Sequence, residues 1–130
     1  MWRPSTIDSR VLLSTLWIFA VLNYLYADVL SLFFNPALLD EAKTFTGGSP
    51  WAVLGAAVLM ESAIVMVLLS RVLAYGANRW ANVVAGLLHT AAVAGSLSLA
   101  PYYVFFASIE MACTLFIAWY AWRWRMVCST

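Results

Sequence analysis

The chain has 130 residues, of which 65% are hydrophobic and only 10% charged, with a formal net charge of +1. A soluble domain carries about a quarter charged residues, so a water-facing globular surface is excluded and lipid must cover the apolar remainder. Seven Lys and Arg with no long basic run exclude a nucleic-acid partner.

The first apolar segment, VLLSTLWIFAVLNYLYADVLSLFF, covers Val11 to Phe34. At about 1.5 Å per residue it can cross a hydrocarbon core roughly 30 Å thick. Arg3 and Arg10 precede it as the basic region of a secretory signal would. The run is too long for such a signal and has no small-x-small cleavage site at its end, so it reads as a retained helix. Asp8 or Ser9 can cap it, and Asn35-Pro36 ends it, because a residue before proline is pushed out of the helical region. The polar stretch NPALLDEAKTFTGGSP follows. Leu38 and Leu39 beside Asp40, Glu41 and Lys43 predict a short interfacial helix over 36–46, before a Gly47-Gly48 turn.

The second segment runs over 50–72, opening on Pro50 at a good first helical position and closing at Arg71. The link AYGANR leads to a third segment over 80–100, broken by Pro101, and a fourth over 102–122. So short a link makes the last two segments an antiparallel hairpin. No segment alternates in polarity, which excludes strands. The expected fold is therefore all-α: one transmembrane domain over 1–130, an integral membrane four-helix bundle of two antiparallel hairpins. Cys113 and Cys128 show no CxxC spacing, and Cys113 reads as a small buried hydrophobe.

Four crossings put Arg3, Arg10, Arg71, Arg79, Arg123 and Arg125 on one side and Lys43, Asp40 and Glu41 on the other. The positive-inside rule makes the arginine side, with both termini, cytoplasmic. Trp51, Trp80, Tyr102, Tyr103, Trp119, Trp122 and Trp124 fall near predicted helix ends, where amphipathic rings favour the interface.

Each segment then carries one polar side chain near mid-membrane: Asn23, Glu61, His89 and Glu110. Counted at about 1.5 Å per residue, they lie roughly 18, 16, 13 and 12 Å from the start of their helices. An unpaired carboxylate at that depth costs a few kcal/mol or more, so these groups are expected to face inward and meet one another. Asn82, Ala85, Gly86, His89, Ala92, Val93 and Ser96 form a small and polar stripe on the third segment, as do Tyr103, Ala107, Glu110, Cys113 and Thr114 on the fourth. Glu61 shares its face with Ala57, Val58, Ile64 and Val65. Helices two and four each place a Glu at mid-membrane with arginine at the inner end, a weak internal echo of a parallel repeat. Asp28, one turn from Tyr24 and close to Ser31, reads first as an interfacial helix-end residue bonded to Tyr24 or facing water, and second, with Tyr24, as lining an outward mouth.

The strings DSRVLLSTLWIFAVLNYLYADVL (8–30), LLSRVLAYGANRWAN (68–82) and PYYVFFASIEMACTLFIAWYAWRW (101–124) resemble a family of small uncharacterised bacterial four-helix integral membrane proteins. In size and helix count the chain is also similar to the DoxX-like group. The resemblance implies the fold and a multi-pass location in the bacterial cytoplasmic (inner) membrane, and it assigns no catalytic residue.

The cluster points to binding of a small lipid-phase ligand, such as a quinone or isoprenoid, at Asn23, Glu61, His89 and Glu110. An enzymatic version would use one carboxyl as general acid and His89 or the other carboxylate as base. In a proton-coupled exporter the same residues would form the proton path. Small multidrug-resistance transporters are similar in length but carry their essential Glu in helix one, where this chain has Asn23. In an accessory subunit the residues would be a packing clasp inside a larger membrane complex. The expected partners are thus the lipid bilayer, a small hydrophobic ligand, and further copies or subunits of a complex. No ExxH or HxxxH spacing supports a metal site, and no cofactor is expected.

Overall fold

A computed structural model describes residues 7–96 and 99–125, without the side chains at 38, 39, 45 and 46. Arg3, Cys128 and the side chains of Leu38 and Leu39 lie outside the described residues. Five helices follow one another: α1 (Ser9–Phe34), α2 (Pro36–Thr46), α3 (Pro50–Val72), α4 (Tyr75–Gly95) and α5 (Pro101–Arg123). Among the described residues there is no strand.

Local chemistry explains the helix ends. Asp8 caps α1 by accepting from the Arg10 N–H at 3.0 Å, satisfying one of the donors a first turn leaves over. Proline stands at the start of α2, α3 and α5, where its missing N–H costs nothing. Helix α2 stops at Gly47, which takes φ 59°, and Gly48 follows at φ 69°. Only glycine enters this left-handed region without strain.

Hydropathy places the third long helix over 80–100, but α4 runs from Tyr75 to Gly95. The residues that look like a loop, Tyr75 to Arg79, form its first turn. Asn78 is buried, its backbone N–H donates to Ala74 O at 2.8 Å, and its Nδ2 donates to Ser70 O at 2.7 Å on α3. These bonds satisfy a polar turn inside the protein and shorten the α3–α4 connection to Leu73 and Ala74.

Helix α1 packs on α3 and α5, and α4 packs on α5 and α3. The core between them holds Leu13, Trp17 and Ala20 of α1, Ala63 and Met66 of α3, Val83 of α4, and Ile117 and Ala121 of α5. Helices α4 and α5 approach closely at Gly86, where a Cβ would stand 2.8 Å from Thr114 O and 3.1 Å from Ala118 Cβ. Helix α3 joins the core only along its second half: Pro50 to Val58 are all exposed, and Ala63 is its first buried residue.

Outward, the surface is apolar. Phe33, Phe34, Trp51, Leu68 and Val72 all stand exposed, an arrangement that suits lipid and not water. Helices α1, α3 and α5 are long and apolar enough to cross a membrane, and the chain associates with a membrane accordingly.

Candidate functional site

His89, halfway along α4, is 2% exposed and touches three other side chains. Ser62 Oγ of α3 lies 3.0 Å from Nε2, and Tyr24 Oη of α1 lies 3.4 Å from Nδ1. The Tyr24 ring stacks on the imidazole at 5.7 Å between centroids, and Trp17 meets it edge-on at 5.3 Å. The tautomer follows from proton counting. Ser62 Oγ has one proton and donates it to Leu59 O at 2.6 Å, so towards His89 it accepts, and Nε2 carries the hydrogen. Nδ1 is then the acceptor for the Tyr24 hydroxyl.

A second polar group lies towards the arginine end. Trp17 Nε1 donates to Asn82 Oδ1 at 2.8 Å, and Ser70 Oγ donates to the same oxygen at 3.2 Å. Asn82 Nδ2 donates to Asn78 O at 2.9 Å and to Asn78 Oδ1 at 2.7 Å. Every hydrogen-bonding position of the Asn82 amide is therefore used. Beside this group Ser14 donates to Val67 O at 2.9 Å and accepts from Arg71 Nε at 3.2 Å.

Glu110 on α5 differs from all of these. It is 5% exposed, yet its Oε1 is buried with no hydrogen-bond partner. Its backbone carbonyl accepts from the Thr114 hydroxyl at 2.9 Å. Tyr24 and Asp28 of α1 lie within electrostatic reach of its carboxyl.

A family model covers residues 5–129. The chain belongs to DUF6326, a family of unknown function. Compared with curated proteins and with solved structures, this DUF6326 chain has no match in either.

The structure buries His89, Tyr24 and Glu110 of this DUF6326 chain between the helices, leaves Glu61 and Asn23 apart from them, and keeps Asp28 exposed at the rim, within electrostatic reach of Glu110. Glu61 is exposed on α3, and Ser62, one residue on, holds the position beside His89. The reason is helical phase: successive residues turn by about 100°, and the buried row of α3 passes through Ala63, Met66 and Ser70, away from Glu61. Asn23 is half-buried, and its Nδ2 donates to Phe19 O at 2.8 Å within its own helix. Asp28 is exposed near the end of α1. Trp17 and Ser62 are partners that residue-type reasoning passes over. Ser62 had a signal, standing in a four-residue rhythm with Met66 and Ser70. Trp17 had one in the row Leu13, Trp17, Ala20, Tyr24, Ala27, all buried.

Chemically, the His89 and Asn82 groups are satisfied and hold helices together. Glu110 is not. A buried polar atom left without a partner costs about 1–3 kcal/mol. Protonation does not remove the problem, since a carboxylic O–H needs an acceptor just as a carboxylate needs donors. Among the described residues no group of three His, Cys, Asp or Glu is placed to hold a metal ion.

Proposed function

We propose that this DUF6326 protein is a four-helix integral membrane protein that binds a small lipid-phase ligand at Glu110, with Tyr24, which bonds His89, on the facing helix. The carrying observation is the buried, unpartnered Oε1 of Glu110. Ionisable residues at membrane depth mark functional sites by default. Among the described residues the other buried side-chain atom without a partner is Arg79 Nε, whose guanidinium still donates to Trp122 O through Nη2.

Helix α4 is the fourth span in this reading. Its average polarity comes from Asn78, Asn82 and His89, all buried against neighbouring helices. Its exposed positions include Trp80, Val84, Leu87, Leu88 and Ala91, a surface fit for lipid. The ends of α1, α3, α4 and α5 that carry Arg10, Arg71, Arg79 and Arg123 lie together, joined by contacts such as Ser9–Tyr120 and Arg79–Trp122. The positive-inside rule makes that end cytoplasmic. The bacterial cytoplasmic membrane is the location that fits.

Native mass spectrometry of the protein released from its own membrane, with no ligand added, tests the binding role. A discrete small molecule on the wild type, lost in Glu110→Gln, is the expected result. Bare protein in both, or bulk phospholipid alone, would leave Glu110 without a ligand and overturn the reading.

A further inference from the structure

We infer that the ligand of this site is a lipophilic organic cation, an amine or phosphonium whose charge is met by Glu110 and Asp28. This deepens the ligand-binding reading and rests on it.

Charge is the first argument. Glu110 and Asp28 are close enough to interact, and both are acids. The described arginines are at the opposite ends of their helices, where Arg71 bonds Ser14 and Arg79 bonds Trp122 O. No described arginine bonds either carboxyl, and the Glu110 oxygen is buried without a donor. An incoming cation completes the pair. A cation favours the ionised form of both acids, whereas an anionic ligand would be repelled by it.

The surroundings are the second argument. Tyr24 borders Glu110 on α1. On α5, Phe106 and Tyr103 stand one and two turns before Glu110, both half-buried. Phe106 stacks on Tyr26 at 6.5 Å. An acid with aromatic side chains one and two turns away on its own helix is a composition suited to an organic cation, because the ring quadrupole attracts positive charge while the ring surface takes apolar substituents. Access is the third. Residues Pro50 to Val58 of α3 are all exposed, so α3 does not close over the other helices at the Asp28 end, and a molecule dissolved in the bilayer can enter sideways.

The test compares two probes of the same shape and opposite charge, tetraphenylphosphonium and tetraphenylborate, by equilibrium dialysis against the full chain in detergent. Expected is saturable binding of the cation, weakened at least tenfold in Glu110→Gln and severalfold in Asp28→Asn, with no saturable binding of the anion. Glu41→Gln, an exposed acid on α2, serves as the control and binds as the wild type does. Circular dichroism confirms that each variant is folded, and Glu110→Asp, which keeps the charge, recovers part of the binding if Glu110→Gln misfolds. Equal binding of the borate, or wild-type phosphonium affinity in Glu110→Gln, overturns the inference. A neutral molecule found by mass spectrometry and lost in Glu110→Gln would also overturn it while leaving the binding site in place. No probe bound and no molecule found would remove both.

Discussion

Ser62 Oγ lies 3.0 Å from His89 Nε2 and gives its own proton to Leu59 O, so the serine is the acceptor that fixes the imidazole tautomer. Ser62→Ala removes that acceptor and leaves a buried N–H unpaired. The expected loss is about 1–3 kcal/mol of stability, read as a lower thermal midpoint in detergent. Ser62→Thr keeps the hydroxyl and recovers most of it. An unchanged midpoint in Ser62→Ala would mean that His89 takes another partner.

Glu110 predicts the opposite sign. Since its Oε1 is buried and unpartnered, Glu110→Leu removes a desolvation cost at similar volume. The ligand-free protein gains about 1–3 kcal/mol and loses ligand binding, a trade familiar from functional sites. Thermal unfolding of wild type and variant after exhaustive detergent exchange checks it. A lower midpoint in Glu110→Leu would show that the carboxyl is held by the protein itself.

Glycines separate by position. Gly86→Ala would set a Cβ 2.8 Å from Thr114 O, forcing α4 from α5 and stretching the 2.8 Å Thr90–Thr114 bond. A cost of about 1–3 kcal/mol follows. Gly55 and Gly76 have nothing within 4 Å of such a Cβ, so their alanine variants are neutral or more stable by up to about 1 kcal/mol. Unfolding midpoints of the three single variants decide it, and equal effects at Gly86 and Gly55 would contradict the packing described.

Orientation is open to labelling. Ala42→Cys on α2 should react with a membrane-impermeant maleimide in intact cells, and Ala77→Cys near the start of α4 only after permeabilisation. Both are exposed, so accessibility within the protein does not confuse the result. The reverse pattern would invert the topology.

Much of the architecture was legible because membrane helices announce themselves by length and apolarity, which are read along the chain. The start of α3 at Pro50 was visible from proline's preference for a first turn, and α5 begins at Pro101, one residue before the expected 102, because the proline that ends the third segment also opens the next helix. The start of α4 was not visible. Hydropathy counts Asn78 and Arg79 as loop residues, and only the tertiary bond from Asn78 to Ser70 O makes a buried turn of them. His89 and Glu110 stood out as ionisable residues in apolar runs. Their surroundings did not, because burial on α3 depends on a phase that separates Glu61 from Ser62 by about 100°, and both faces of that helix are apolar. The unpartnered state of Glu110 is a fact about three helices at once, and no single segment carries it.

Trp17 touches His89 with its ring edge and bonds Asn82 through its indole N–H. Among the described residues no hydrogen bond joins the His89 group to the Asn82 group directly, so the two halves of the polar interior communicate through this one side chain. Energetic coupling between a change at Ser62 and a change at Asn78 should accordingly be measurable in a double-mutant cycle on the native background. In Trp17→Leu the same cycle should close to zero, and the protein would then behave as two independent clasps sharing a backbone.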